Sequence, residues 1–425
     1  MTAEPAAELV VMKFGGTSVA GAEQIKRAAA RIVGARENGL AVVAVLSARG
    51  KTTDELTAMA REISARPHPR EMDMLLSTGE RISCALCAMA INDLGHHAIS
   101  LTGSQAGIVT DTSHTKARIL DVRAERIRAA LDEGQIVLVA GFQGVSTARD
   151  VTTLGRGGSD TTAVALAAAM EAEVCEIYTD VAGVFSADPR IVPDARKLPV
   201  VSFEEMLEMS ASGAGVLQLR SVEYARNHGV RIHCRSSFTE APGTFVVGEE
   251  ETMERPLITA VTHSRDEARL TLLGVPDHPG VSGKIFTALA DANINVDMII
   301  QDEPDDEGAQ AHMSFTVPRT DLRDARIALD PVVAEVGIRS ITEDPEMGKV
   351  SVVGAGMKSH PGVAARVFTT LGEQGINIEM ISTSPIKISC VVNADAVDRA
   401  VRALHEAFEL GADQIEAEHP FGAPA

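Results

Sequence analysis

The chain has 425 residues, 45% of them hydrophobic and 23% charged, and a formal net charge of −20. At about 150 residues per domain, this length predicts two to four domains with a sizeable core. The acidic balance excludes nonspecific binding to nucleic acid or an anionic membrane, because such polyanions repel it, but leaves room for small polyanions in local basic pockets.

Residues 1–8 carry Glu4 and Glu8 and lack the apolar core of a signal peptide. No later run reaches the roughly 18 apolar residues of a membrane span, so a cytoplasmic location is expected. The run 9–12 (LVVM) reads as the end of a buried strand. Lys13, Gly15 and Gly16 follow, and the two glycines allow a tight turn whose exposed amides, with the Lys13 ammonium, suit phosphate or carboxylate. An ordinary strand-turn-helix corner with a solvated lysine reads the same way.

Residues 21–36 carry apolar side chains at helical spacing, and 40–46 (LAVVAVL) reads as a strand covered on both faces. Strand, helix and strand make an α/β layer, in which ligands gather at the carboxyl ends of strands. Ser47 and Thr53 lie in such a stretch, 47–54, which equally reads as a loop capping the next helix. Glu80 precedes an apolar helix over 82–94, either as a cap or as a partner for an ammonium group. That helix holds Cys84 and Cys87. With Cys175, Cys234 and Cys390 they make an odd count in apolar stretches, which suits reduced, buried thiols more than zinc or redox chemistry.

A strand is expected at 136–140 (IVLVA), and a second glycine cluster at 152–162 (TTLGRGGSDTT) opens a helix reaching about residue 171. Gly157, Gly158 and Ser159 place free amides beside Arg156, a pattern for an anionic ligand. Asp160 either answers the helix dipole or engages a metal or the transferring group. A short strand over 174–178 leads to a glycine-, proline- and aspartate-rich loop over 179–190, read as a nucleotide edge or a plain surface loop.

MKFGGTSV, SARGKTTDEL, LSTGER, TTLGRGGSDTTA and DVAGVFSADPR, in this order and spacing, resemble the aspartate kinases of the amino acid kinase family, in their feedback-regulated actinobacterial form. The resemblance runs from about residue 9 to about 415 and implies an α/β fold, the open α/β/α sandwich of amino acid kinases, followed by two ferredoxin-like βαββαβ ACT domains. It implies transfer of the γ-phosphoryl of MgATP to the β-carboxylate of L-aspartate, giving 4-phospho-L-aspartate, the first step toward lysine, threonine and methionine. ATP and Mg²⁺ are the implied cofactors, and no residue is assigned to the metal. By motif, Lys13, Gly15 and Gly16 hold phosphates, with Lys13 and Asp160 at the reaction centre. Ser47, Thr53, Glu80, Arg156, Gly157, Gly158 and Ser159 hold aspartate, while Thr179, Asp180, Phe185, Asp188 and Arg190 line the nucleotide. A carboxylate is already a nucleophile, which agrees with the absence of a Ser/His/Asp or Cys/His constellation.

Four positions depart from the family pattern. Gly215 stands in place of a phosphate-contacting lysine, Phe185 in place of tyrosine, Arg49 in place of an apolar residue and Pro385 in place of glutamate. Gly215 motivates an alternative: an amino-acid-sensing regulatory protein with a weakly active kinase domain.

The kinase part is expected over 1–248, followed by an acidic linker over 249–264. Thereafter 278–299 and 360–381 align with 11 identities in 22 positions, an internal duplication of loop, amphipathic helix, turn and strand. Both copies resemble the ACT domain. The resemblance places the first over 265–345, completed by about 405–420, and inserts the second, 346–404, within it. It implies lysine and/or threonine as effectors at Asp277, Gly280, Asn295, Val296, Asp297 and Gln301, with Asn377, Ile378, Thr383 and Ser384 from the partner copy. Aspartates there suit a cationic amine, while both asparagines also read as turn residues. It further implies a homo-oligomer, or a heterotetramer with an ACT-only subunit from an internal start, for which Met253 is the candidate.

Overall fold

The computed structural model describes residues 8–251, 257–302 and 311–411. In the kinase part β1 (Leu9–Phe14), α1 (Ala22–Glu37) and β2 (Ala41–Leu46) come first, then α2 (Thr52–Ile63), α3 (Pro69–Leu76), α4 (Thr78–Asp93) and β3 (Ala98–Leu101). Next are β4 (Ile108–Thr110), β5 (Ile119–Val122), α5 (Glu125–Asp132), β6 (Ile136–Ala140), β7 (Gln143–Ser146) and β8 (Val151–Thr153). α6 (Gly158–Ala169), β9 (Val174–Thr179), β10 (Val200–Ser202), α7 (Phe203–Ala211), α8 (Leu219–His228), β11 (Arg231–Ser236) and β12 (Thr244–Val247) complete it.

The continuous apolar runs become the central strands of an eight-stranded sheet, ordered β10-β12-β11-β9-β1-β2-β6-β3. β1 pairs in parallel with β2 (Phe14 opposite Leu46) and with β9 (Phe14 opposite Tyr178). Alternate residues feed two cores. Val11, Val43 and Val45 pack with α6, α7 and α8, whereas Met12, Ala44 and Leu46 pack with α1 and α4. Each fully covered aliphatic side chain contributes about 1.5–3 kcal/mol, and the layering is the α/β/α sandwich implied by the motifs.

Three features depart from the sequence reading. A small sheet, β5-β4-β7-β8, covers part of the kinase domain, and its strands of three or four residues carry no apolar run to mark them. The helix expected over 82–94 starts at Thr78, so Glu80 lies in its first turn. Together α3 and α4 span Pro69–Asp93, long and apolar enough by length and composition to cross a membrane, contrary to the expectation that no run reaches that length. Buried Asp73, Glu80, Cys84 and Cys87 place this stretch against the kinase core instead.

The C-terminal half is one six-stranded sheet with its helices, beginning with β13 (Ala260–Val275), α9 (Val281–Asp291), β14 (Ile299–Gln301), β15 (Ala311–Val317) and α10 (Leu322–Val336). It continues through β16 (Ser340–Val353), α11 (Val363–Glu373), β17 (Met380–Ser384), β18 (Lys387–Asn393) and α12 (Val397–Ala407). The order is β14-β15-β13-β16-β18-β17. Two long strands serve both units. Residues 267–275 and 340–347 pair in the first βαββαβ unit, whereas 260–264 pair with 349–353 in the second.

The nesting is therefore the reverse of the expectation. The first unit is contiguous and sits inside the second, whose last strand is supplied by 260–264, the end of the supposed linker. The first sheet needs no strand from the C-terminus. Residues 412–420 and Met253 lie outside the described residues, and Leu410 packs with the second unit.

Candidate active site

β1 ends by placing Lys13, 9% exposed, with its Nζ 2.5 Å from Asp160 Oδ1 in the first turn of α6. Among the described residues that oxygen has no other partner. Gly15 follows, its N–H donating to the Tyr178 carbonyl at 3.2 Å, which ties the first glycine turn to the end of β9 just before Thr179. A Cβ on Gly16 would stand 3.0 Å from the Ala48 carbonyl, so the turn passes tightly over the 47–50 loop at the end of β2. Gly50 N–H in turn donates to the Gly16 carbonyl at 3.0 Å.

Glu80, 3% exposed, reaches this loop from α4. Its Oε1 accepts from Ala48 N–H at 3.2 Å, while Oε2 is buried with no partner among the described residues. Burial pushes this carboxyl up to about 7, against only partial relief from hydrogen bonds and Arg81. A buried acceptor without a donor suits an incoming ammonium group. Ser47 lies beside it, its N–H on the Phe14 carbonyl at 3.1 Å, and Thr53 lies in the first turn of α2.

The second glycine cluster meets the first from the other side. Gly157 adopts φ 72° and precedes α6, whose first amide, Gly158 N–H, donates to the Gly155 carbonyl at 3.0 Å, leaving the Ser159 N–H at the helix start without a partner among the described residues. A Cβ on Gly141 would stand 2.7 Å from Ser159 Oγ, and one on Gly157 would stand 2.2 Å from Gln218 Cγ. The loop carrying Gly215 thus runs beside Gly157. Gly215 itself is exposed, with open space where a side chain would project.

The amino acid kinase family model matches residues 8–236, and ACT-domain models match 269–333 and 350–408. An aspartokinase of Mycolicibacterium smegmatis is 56% identical over 408 residues, covering 95% of this chain and 97% of its own. One of Corynebacterium glutamicum is 53% identical over 408 residues, with the same coverage of 95% and 97%. The chain belongs to the aspartokinases of the amino acid kinase family. Among solved structures, E. coli aspartokinase III in complex with aspartate and ADP matches with TM-score 0.80 and 26% identity, covering 94% of this chain and 99% of that one.

Four of the other expected nucleotide residues of this aspartokinase pair with one another. Thr179 Oγ1 donates to Asp180 at 3.0 Å, and Arg190 Nη2 lies 2.7 Å from Asp188 Oδ2, which holds the Asp188 carboxyl below its ordinary range. Phe185 packs against a cluster shared with the second ACT unit.

At the expected effector positions, Asp277, Gly280, Asn295 and Gln301 are exposed, with Gly280 at φ 100° capping α9, and Val296 is half-buried. Asp297 is exposed as well, but its carboxylate is engaged by the buried Lys349 ammonium, which also pairs with Glu267. In the second copy Asn377 donates to Glu379 at 2.7 Å, Ile378 is half-buried, Thr383 is exposed, and Ser384 donates to Glu208 of the kinase part at 3.0 Å.

Arg49 donates to the Ala20 carbonyl at 3.2 Å. Arg220, a candidate replacement for the missing lysine, spends both terminal nitrogens on the Leu154 and Ala117 carbonyls. The five cysteines are free and buried, and burial pushes Cys87 up to about 12. Reading the sequence alone missed Asp73, a fully buried carboxylate on α3. The available signal was an acid set between the two methionines of EMDMLL.

Proposed function

We propose that this aspartokinase transfers the γ-phosphoryl of ATP to the β-carboxylate of L-aspartate, with lysine and/or threonine acting at the ACT pair. One observation carries the assignment of its site: a buried cation, Lys13, stands beside glycine turns, and a buried, half-unsatisfied carboxylate, Glu80, faces the same 47–50 loop.

In this reading Glu80 Oε2 accepts the substrate ammonium, and Arg156 with the Ser159 hydroxyl and α6 amides takes its carboxylates. The Gly16 amide, in the turn that Gly15 anchors to β9, faces phosphate, and Lys13 neutralises charge that develops on the transferring group. The attacking carboxylate needs no base, so positioning and charge neutralisation do the work. Asp160 keeps the Lys13 ammonium at the turn.

Among the described residues no group of three or more His, Cys, Asp or Glu side chains could hold a metal. The donor set therefore suits Mg²⁺ carried in on phosphate oxygens, with Asp160 as the acid at the turn. There it would offset phosphate charge. Thr179, Asp180, Asp188 and Arg190 edge the nucleotide, and buried thiols with an acidic surface suit a cytoplasmic enzyme. E. coli aspartokinase III has been solved with lysine and aspartate, and its likeness here (TM-score 0.71, 26% identity) supports the effector assignment. A homo-oligomer, or an assembly with an ACT-only subunit, belongs to the same reading.

The test is hydroxylamine trapping of the acyl phosphate with MgATP and aspartate. Hydroxamate formation that requires both substrates is expected. None at saturating concentrations would overturn the assignment.

A further inference from the structure

The turn carrying Arg156 has little stiffness of its own. Arg156 is exposed and flanked by Gly155 at φ 79° and Gly157 at φ 72°, so its guanidinium is only as well placed as the backbone that leads into it. That backbone is held by two charged side chains of opposite sign that do not bond each other. Asp73, fully buried on α3, accepts from Thr153 Oγ1 at 2.5 Å and lies 2.6 Å from His114 Nδ1. It also accepts from Thr115 N–H at 3.0 and 3.1 Å. Arg220, half-buried on α8, donates to the Leu154 carbonyl at 3.0 Å and to the Ala117 carbonyl at 2.9 Å.

The gripped segments are bonded to each other, Ala117 N–H to the Thr153 carbonyl at 2.9 Å, and Thr115 presses its carbonyl to within 3.1 Å of where a Gly155 Cβ would be. Thr115 itself has φ 66°, a conformation that a threonine keeps only when its surroundings hold it. Charged groups hydrogen-bonded to backbone in this way form the stronger class of such contacts. Each makes one contact to the two residues immediately before the glycine turn and the rest to the 114–117 segment packed on it, not to a helix end or a ladder of the large sheet.

We infer that Asp73 and Arg220 are positioning residues for the phosphoryl acceptor, clamping residues 153–154 so that the Arg156 guanidinium meets the acceptor's carboxylate. The inference rests on Arg156 as an aspartate-binding cation. Asp73 sits on the helix just before the Glu80 segment, and Arg220 follows the Gly215 loop, so the clamp also links three segments of the same site.

The experiment is steady-state kinetics on the full chain, varying aspartate and ATP separately, for Arg220→Lys, Arg220→Met, Asp73→Asn, Arg156→Ala and the double variant Arg156→Ala/Arg220→Met. Arg220→Met and Asp73→Asn are expected to raise the aspartate KM about tenfold with the ATP KM within about twofold, and Arg220→Lys to recover part of the loss. The double variant is expected to be no worse than Arg156→Ala, since both changes disable one contact. An aspartate KM unchanged in the clamp variants, equal rises in both KM values, or a double variant showing the product of the single effects would overturn the clamp. An unchanged aspartate KM in Arg156→Ala would instead remove the reading of Arg156 itself. Should Arg220→Met not fold, Arg220→Lys and Asp73→Asn give the same decision.

Discussion

Glu80 carries two opposed demands. Its folded-state carboxyl holds its proton up to about 7 instead of the ordinary 4.5, because burial opposes the charge. Between those values the folded chain binds more protons than the unfolded one, so stability falls as pH rises through the interval. Above pH 7 the ionised group costs about 3 kcal/mol. Glu80→Gln keeps an acceptor for Ala48 N–H and removes that cost. The variant should melt higher than the parent at pH 8 and at nearly the same temperature at pH 4, while its aspartate KM rises at least about tenfold. The parent's kcat/KM for aspartate should fall about tenfold per unit below pH 7, where Glu80 is neutral, and a flat profile from pH 5.5 to 8 would remove it from ammonium binding. Gly215 offers the converse experiment. Its position is exposed and sterically open, so Gly215→Lys should be tolerated and should raise kcat by about tenfold or more through a further cation beside the phosphates. Rapid-quench measurement of the chemical step would show it.

In the regulatory sheet the matching acids of the duplicated segment each reach into the other copy. Asp297 of the first pairs with Lys349 on the second unit's strand, and Glu379 of the second pairs with Arg269 on the first unit's strand at 2.9 Å. The two are unequal in burial. Lys349 and Glu267, 3.0 Å apart, are almost fully covered, whereas Arg269 and Glu379 are a quarter to a third exposed. Lys349→Met should leave Glu267 buried without its cation and cost about 3–5 kcal/mol, and Arg269→Met about 1 kcal/mol or less, as read by urea unfolding of the full chain. The alignment of the two copies already set Asp297 opposite Glu379 in sequence, but not the cations that answer them. The same limit explains the inverted nesting. The 16-residue β13 is polar through Thr262, His263, Ser264, Arg265, Asp266 and Glu267, where it passes from one unit to the other with a register shift, and that stretch reads as loop. By contrast β1, β2 and β6 are unbroken apolar runs, and the glycine turns beside them announce themselves by residue type. Asp73 and Arg220 could not be read the same way, because their partners are groups of residues distant in sequence, for Arg220 backbone carbonyls that carry no chemical label.

At the scale of the whole molecule, the kinase and regulatory parts share contacts on the elements expected to carry ligands. Ser186 lies in the loop of the candidate nucleotide residues. Its carbonyl accepts from Val261 N–H at 2.7 Å, its hydroxyl lies 2.9 Å from His405 Nε2, and neighbouring Ala187 and Val192 pack with Leu404 and Leu410. On the other side, Glu208 of α7 holds Ser384 at 3.0 Å and Lys387 at 2.8 Å, both at the β17–β18 turn. Helix α7 then leads into the Gly215 loop and on to Gln218 against Gly157. An effector that takes the Ser384 hydroxyl competes with Glu208 and so bears on the segment beside the acceptor turn. The Lys387–Glu208 pair is partly covered, with side chains 15% and 24% exposed, and is worth on the order of 1 kcal/mol, or about a factor of five in an equilibrium. Lys387→Ala should therefore shift the lysine-plus-threonine concentration for half-inhibition by about fivefold, with kcat and both KM values within about twofold of the parent. Lys284→Ala, which breaks the exposed pair with Glu335 on the far side of the first unit, should leave that concentration unchanged. Equal half-inhibition in the parent and Lys387→Ala would mean that this contact carries no signal, leaving the Ser186–His405 side as the physical route between the two halves.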